Sequence, residues 1–218
     1  MQQNSDVFEL GASKSQARYV EITLAPLAYR TGQRGFMLIL QDVTSRMEAE
    51  KERQRAEADL RHHAVLLRRF HEITSSESLS LEEKLDEVLR LGCEQFKLPT
   101  GILSHVNDTK LKIIRAVGQE FKYAVGSILP LNQSYCEITL DSSEPVALMD
   151  ATSAEWRDHP AYRSSGHQSY IGTCVRVDES VYGTLCFFSP TPRKRPFNSA
   201  DSELIKLMSR WVGSELQR

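Results

Sequence analysis

The segments "GTLCFFS", Gly183 to Ser189, and "FNSADSELIKLMSRWVGSELQR", Phe197 to Arg218, carry the strongest structural signal in the sequence. The first is a short apolar run and predicts a buried strand. The second predicts a helix, because Asn198 can act as N-cap and Asp201 three residues later can complete a capping box. The apolar residues of this helix share one face and form a predicted buried stripe of Leu204, Ile205, Met208, Trp211, Val212 and Leu216. No stop signal follows Gly213, so we expect the natural helix to continue beyond the last residue.

The residues before this strand predict an α+β unit. "SYIGTCVRV" and "SVYGTLCFFS" form one predicted hairpin, with a two-residue turn at Asp178 and Glu179, and "TGILSHV" and "KLKIIRAV" form another. A helix precedes both hairpins, with Ser80 as its N-cap and Glu83 completing a capping box. Between the hairpins, "NQSYCEITLD" predicts a short helix, "PVALMD" a strand and "SAEWRDHPAYRSSGHQ" an irregular or short-helical excursion.

The first part of the chain has a different pattern. "ARYVEITLAPL" and "GFMLILQDV" predict strands joined by a turn in "AYRTGQRG", and a charged run without Gly or Pro from Thr44 onward predicts a long helix. With Leu60 and Leu67 at a positions of a heptad repeat, Phe70 falls at a d position, which gives a weak coiled-coil seam. We therefore expect a paired helix and a homodimer through this segment; the alternative is a solvated single helix.

Composition excludes several classes of protein. The 218 residues carry a formal net charge of -2, with a pI of about 6.3, so we expect no nucleic-acid partner. No apolar run reaches the roughly 18 to 20 residues that span a bilayer, and no signal peptide is evident. These features predict a cytoplasmic protein without membrane contact in this chain.

Two stretches resemble a known family. "GTLCFFS" with "RPFNSADSELIKLMSRWVGSEL" resembles the closing hairpin and C-terminal helix of GAF domains in bacterial sensor kinases and related multidomain signalling proteins, and "SYCEITLDSSEPVALMDA" is similar to the middle of such domains. The resemblance spans Leu79 to Arg218. It implies an α+β fold in which helices pack on one face of an antiparallel sheet and pocket loops cover the other.

The N-terminal strands resemble another family. "ARYVEITLAPL" and "GFMLILQDVTSR" are similar to the last three strands of a PAS domain, which end in a motif represented here by Asp42-Val43-Thr44. The first half of a PAS domain is absent. The resemblances together imply a C-terminal PAS fragment at residues 1–44, a signalling helix at 45–78 and a GAF domain at 79–218. Relay of signal through this helix would involve Asp42, Thr44, Leu60, Leu67 and Phe70.

The GAF resemblance also implies a pocket. Its predicted ligand-binding residues come from the short helix, the strand after it and the excursion: Tyr135, Cys136, Asp150, Trp156, His159, Tyr162, His167 and Tyr170. The alternative for the aromatic residues is that they only seal the core. Cys136 is the best candidate for a thiol that faces the pocket, with plain packing as the alternative.

The other cysteines predict packing roles. Cys93 lies on an apolar helix face, where a free cysteine behaves as a small hydrophobe. The two-residue turn would pair Ile171 with Cys186, which places the thiols of Cys174 and Cys186 on opposite faces of the sheet. We therefore expect no disulfide between them, and the absence of any CxxC argues against a zinc site.

Cofactor motifs of the family are missing. Bilin-binding GAF domains use a cysteine followed by histidine, and no such pair occurs here. Cyclic-nucleotide GAF domains carry an Asn-Lys pair and then Phe-x3-Asp-Glu, whereas here Phe197-x3-Asp201 is followed by Ser202. The histidines lack ligand spacing for a metal or haem. The sequence thus argues against bilin, haem and cyclic nucleotide and leaves the ligand unknown.

No catalytic motif is present. The chain lacks a phosphate-binding glycine loop, GxSxG, HExxH, a kinase histidine box and a GGDEF-type signature. We therefore predict a non-enzymatic sensory and relay module of a sensor histidine kinase or cyclic-dinucleotide enzyme, with the output domain beyond Arg218. The alternatives are a ligand-free GAF dimerisation module and a thiol-redox enzyme of GAF fold, although the clustered cysteines of free-methionine-sulfoxide reductases are not reproduced in the spacing.

Overall fold

A computed structural model describes residues 4–10, 18–28, 34–118, 123–153, 156–178 and 180–218. Glu179 and most of the turn predicted in "AYRTGQRG" lie outside these ranges. The chain divides into two compact units, residues 1–65 and 66–218. Helix α1, Thr44–Ser75, contributes residues to both units.

The first unit contains a three-stranded antiparallel sheet in the order β1-β2-β3. Its strands are β1 Asn4–Leu10, β2 Arg18–Ala28 and β3 Arg34–Asp42. The register pairs Leu24 with Leu38 and Ile22 with Leu40. Because side chains alternate along a strand, one face of this sheet is strongly apolar. The large apolar side chains that are exposed on that face are Phe8, Leu10, Leu24, Phe36, Leu38 and Leu40.

The second unit contains a six-stranded antiparallel sheet in the order β6-β5-β4-β9-β8-β7. The strands are β4 Thr100–Asn107, β5 Lys110–Val117, β6 Ile128–Pro130, β7 Val146–Leu148, β8 Ser169–Val177 and β9 Ser180–Ser189. The helices after α1 are α2 Leu81–Phe96, α3 Cys136–Leu140, α4 Pro160–Ser165 and α5 Ser199–Gln217.

Helices α2 and α5 pack on one face of this sheet, as predicted. Both begin with the predicted capping boxes, at Ser80 with Glu83 and at Asn198 with Asp201. Their apolar faces join the sheet in a core that includes Leu89, Ile205, Met208, Leu185 and Phe187. Helices α3 and α4 and the connecting loops cover the other face, where a separate apolar cluster forms. The predicted α+β fold is confirmed.

Two glycines let the helices approach the sheet closely. A Cβ at Gly92 of α2 would lie 2.2 Å from the ring of Phe187, and one at Gly213 of α5 would lie 2.2 Å from the backbone oxygen of Arg176. A side chain can rotate out of such a contact, but a strand carbonyl cannot. Gly213 therefore fixes the distance between α5 and the β8–β9 hairpin.

The predicted register of the β8–β9 hairpin is wrong by one residue. Val177 pairs with Ser180, but a β-bulge at Tyr182 then pairs Cys174 with Thr184 and Gly172 with Cys186. An extra residue on one strand shifts every later pair, so Cys174 and Cys186 lie on the same face of the sheet. Both remain free thiols.

Trp211 is less deeply buried than its place in the predicted stripe of α5 suggests. Its side chain is half-buried and packs edge-on against Phe70 of α1, with ring centroids 6.1 Å apart. Phe70 and Leu66 are themselves buried in the core of the second unit. Among the described residues, no helix is long and apolar enough to cross a membrane.

We expect Gly213→Ala to destabilise the second unit. The added methyl meets the Arg176 carbonyl, and overpacking typically costs about 1–3 kcal/mol, whereas alanine gains only about 1 kcal/mol of helix propensity over glycine. The measurement is the free energy of unfolding in urea. Ser214→Ala, at the neighbouring exposed position, is the control and should not lower stability. A Gly213→Ala protein as stable as this control would contradict the close packing of α5.

Candidate functional site

A cavity of about 240 Å³ lies on the face of the six-stranded sheet opposite α2 and α5. Strands β4, β5, β8 and β9 form its floor, and the segments around α3 and α4 form its walls. The described residues that line it are Ile102, Leu111, Ile113, Tyr123, Leu129, Pro130, Gln133, Ser134, Tyr135, Cys136, Ser164, Ser165, His167, Tyr170, Cys186 and Phe188.

The described wall contains no Asp, Glu, Lys or Arg side chain. Its apolar floor is combined with hydroxyl, amide, thiol and imidazole groups at one side. His167 packs against Phe188, with ring centroids 4.2 Å apart, and is buried. Such a wall can contact the apolar groups of a ligand and exchange hydrogen bonds with it. It offers a charged ligand no formal countercharge apart from the charge that a protonated His167 imidazole would supply.

Tyr135 fixes the start of α3 against the excursion that contains α4. Its hydroxyl donates to the backbone oxygen of His167 at 3.0 Å, and its ring lies 5.1 Å from that of Tyr170. Burial raises the pKa of Tyr135 to about 12, so this hydroxyl stays protonated and keeps its bond. Tyr135 therefore connects three elements of the cavity wall: the start of α3, the segment after α4, and β8.

Cys136 and Cys186 form a thiol pair in the cavity wall. The Thr184 hydroxyl donates to the Cys136 sulfur at 3.1 Å, and Cys186 lies two residues after Thr184 on the same face of β9. The neighbouring Cys186 thiol and then the Thr184 hydroxyl hold the pKa of Cys136 below its usual value despite burial. The same contact raises the pKa of Cys186. A negative charge in this pair therefore resides on Cys136.

The structure divides the predicted ligand-binding residues into two groups. Tyr135, Cys136, His167 and Tyr170 line the cavity. The other four predicted residues, Asp150, Trp156, His159 and Tyr162, are not part of its wall.

Two residues of the second group contact Tyr135, which is part of the cavity wall. His159 stacks on Tyr135 at 5.5 Å, and its Nδ1 accepts from the backbone of Ala161 at the start of α4. Trp156 lies edge-on to Tyr135 at 6.2 Å.

Tyr162 and Asp150 complete this second group. Tyr162 packs against the apolar cluster of this face. Asp150 accepts from the hydroxyl and the backbone of Thr152 at 2.7 and 2.8 Å, which lowers its pKa and orders the turn after β7.

Several cavity residues were not predicted from the sequence. The predicted register places Cys186 and Cys174 on opposite faces of the sheet, and no local sequence pattern marks the bulge at Tyr182. Gln133, Ser164 and Phe188 lie near the predicted residues in sequence, and alternation along β9 from Cys186 would have found Phe188.

The predicted relay residues lie in different environments. The Asp42 side chain accepts from the Thr44 backbone at 2.9 Å, and the Thr44 hydroxyl accepts from the backbone of Tyr19 at 2.9 Å. These bonds fix the direction in which α1 leaves β3. Leu60 and Leu67 are exposed, by 69% and 51%. Phe70 differs, because it is buried in the core of its own chain and is not available to a seam between helices.

The comparisons with known proteins identify the second unit. The sequence profile of the GAF domain matches residues 80–216. No curated protein matches the chain. The GAF domain from an Acinetobacter phosphoenolpyruvate-protein phosphotransferase shares 18% identity at a TM-score of 0.56, over 70% of this chain and 91% of that one.

Two further solved structures have the same fold. Free methionine-R-sulfoxide reductase from Neisseria meningitidis, solved with its substrate, matches 72% of this chain and 92% of that one at 15% identity and a TM-score of 0.56. The chromophore-binding domain of Stigmatella aurantiaca bacteriophytochrome matches 92% of this chain and 73% of that one at 12% identity and a TM-score of 0.56. At these identities the likeness extends to the fold alone. With the profile covering most of its length, the chain belongs to the GAF domain family.

Proposed function

We propose that this chain is a non-enzymatic sensory and relay module of a bacterial signal-transduction protein, whose GAF cavity binds a small, uncharged molecule. The observation that carries the proposal is a formed cavity of about 240 Å³ whose described wall has no charged carboxylate, ammonium or guanidinium group. GAF domains are typical of bacterial signalling proteins, which supports a regulatory role. The output would come from a domain outside these residues.

The size and chemistry of the cavity restrict its ligand. Pockets for drug-sized ligands usually measure about 300–1,000 Å³, so this cavity suits a more compact molecule than a tetrapyrrole. A phosphate group would lack a Lys or Arg partner in the described wall, which disfavours cyclic nucleotides. An uncharged ligand with one apolar side and one or two hydrogen-bonding groups matches the apolar floor and the polar edge at Ser134, Ser165 and His167. An open cavity also favours ligand binding over the ligand-free dimerisation module.

The first unit supports the relay part of the proposal. We propose that its strands are the end of a PAS domain, because their apolar face, with Phe36 exposed by 72%, has the composition of a core surface. Additional bonds hold α1 to β2: Arg46 pairs with Glu21 at 3.4 Å, and Lys51 contacts the Tyr19 hydroxyl and ring. A displacement of β2 would therefore move the first turns of α1.

The cavity proposal predicts stabilisation by neutral ligands. In a thermal-denaturation screen of metabolites, an uncharged compound at 100 times its Kd should stabilise the protein by about 2.7 kcal/mol and raise the Tm by about 5–10 °C. Leu129→Phe, which fills the cavity, should abolish this shift. Val125→Phe, at an exposed position outside the wall, is the matched control and should retain it. A shift that survives Leu129→Phe, or one given only by charged metabolites, would contradict the proposal.

We also propose that the chain forms a homodimer through the exposed leucines of α1. Leu60→Glu with Leu67→Glu places two charges on the seam, so we expect the dimer to dissociate in light scattering coupled to gel filtration. Val65→Glu is the control, because Val65 is similarly exposed, by 57%, but occupies an f position. Dissociation of the dimer by Val65→Glu alone, or a dimer that persists in the double variant, would contradict the predicted seam.

Relay through α1 can be tested by insertion in the parent protein. One residue inserted after Glu57 rotates everything downstream by about 100°, whereas seven residues restore the heptad phase with a small drift. We expect the single insertion to lock or abolish output and the seven-residue insertion to leave output near normal. Equal output from both insertions would show that the helix is only a spacer.

A further inference from the structure

The Cys136–Cys186 pair has features of a reactive site that ligand binding does not require. Cys136 begins α3 and Cys186 lies in the middle of β9, so the fold brings together two thiols that are 50 residues apart. The two side chains line the same cavity, and the Cys136 sulfur lies 3.1 Å from the hydroxyl of Thr184, two residues before Cys186 on the same face of β9. A cavity of about 240 Å³ is well above the roughly 10–15 Å³ that one water molecule needs, so it has room for a peroxide.

We infer that Cys136 and Cys186 are a dithiol modification site, which hydrogen peroxide or a small organic hydroperoxide converts to a disulfide within the cavity. This inference goes beyond the proposed function and does not depend on the identity of the cavity ligand.

Cys136 is the attacking group. The titratable groups around it are Cys186 from β9, Tyr170 from β8 and His167, which lines the same cavity. The neighbouring Cys186 thiol and the Thr184 hydroxyl, which donates at 3.1 Å, lower the pKa of Cys136. Since the thiolate is the nucleophile, Cys136 reacts first.

The reaction balances in two steps. The Cys136 thiolate attacks one peroxide oxygen, the O–O bond breaks, and sulfenic acid and hydroxide form; the hydroxide takes a proton to become water, or the alkoxide becomes an alcohol. The Cys186 sulfur then attacks the sulfenyl sulfur, the S–O bond breaks, and water leaves with the thiol proton. Two thiols lose two electrons in total and the peroxide gains them. An external dithiol returns both electrons by thiol–disulfide exchange.

The remaining cysteines supply internal controls. Cys93 packs with the core on the helix side of the sheet, and burial raises its pKa to about 12. Cys174 is on the cavity side of the sheet but outside the cavity wall, and burial raises its pKa as well. Neither should compete with Cys136 for peroxide. The double variant Cys93→Ser, Cys174→Ser therefore isolates the pair.

The test is peptide mapping of the reduced, folded chain after treatment with hydrogen peroxide and blocking of free thiols. In both the unmodified protein and the Cys93→Ser, Cys174→Ser variant, we expect a Cys136–Cys186 disulfide, a mass lower by two hydrogens, and full reversal by dithiothreitol. Cys136→Ser and Cys186→Ser should each give no intramolecular disulfide. The inference would be overturned if Cys136 and Cys186 stayed unoxidised under conditions that oxidise glutathione. Oxidation of Cys174 alone would overturn it as well.

A second measurement distinguishes a Cys136 thiol whose pKa is lowered by its contacts from two ordinary thiols that merely lie close together. The rate of disulfide formation should rise with pH and reach its midpoint below the ordinary thiol value of about 8.5. Thr184→Val removes the 3.1 Å donor at similar volume and should move the midpoint upward and slow the reaction at pH 7. Thr173→Val, a buried threonine on the helix side of the sheet, is the control and should leave the profile unchanged. Identical profiles for the two variants would exclude the assigned role of Thr184.

Discussion

The alternation of side chains along β9 is the constraint on which the second unit depends. This strand lies between β4 and β8 in the middle of the sheet. Leu185 and Phe187 point to α2 and α5, while Thr184, Cys186 and Phe188 point to the cavity side. Both faces of the strand are covered, so one sequence of five residues has to satisfy two environments. The helix side is packed with apolar side chains, and the cavity side combines apolar groups with hydroxyl and thiol groups.

Much of this fold could be predicted from the sequence, because helix caps and apolar stripes are local signals. Ser80 with Glu83 and Asn198 with Asp201 mark helix starts within four residues of sequence, and the structure contains both capping boxes. The cavity could be predicted only in part. Cys136 was found from its position in the short helix, but its partner Cys186 was not, because a bulge changes register without a local sequence pattern. Packing of Phe70 within its own chain likewise depends on tertiary contacts that a heptad count does not include.

The polar contacts of the two units serve different purposes. Around the cavity, neutral hydrogen bonds such as those of Tyr135 and Thr184 position side chains in a wall without charged carboxylate, ammonium or guanidinium groups among the described residues. In the first unit, Asp42 and Thr44 bind backbone groups where β3 becomes α1, and charged side chains hold the next turns to β2. Neutral bonds suit the proposed small-molecule site, and the covalent and electrostatic connection at α1 suits the proposed relay of displacement.

The bulge at Tyr182 has a consequence for how this chain can vary in evolution. The backbone oxygen of Tyr182 lies 2.7 Å from Nδ1 of His105 on β4, and the two rings lie 4.6 Å apart. The His105 side chain therefore provides a hydrogen-bond partner for the Tyr182 carbonyl, which the bulge leaves without a partner on β8. Removal of the extra residue would leave Gly183 opposite Val175 and every later pair unchanged, whereas one further residue inserted between the hairpin turn and Gly183 would exchange the two faces of β9 and present Leu185 and Phe187 to the cavity. Insertions should therefore be tolerated in the loops around α4 but excluded from this short segment, and substitutions at positions 105 and 182 should occur together.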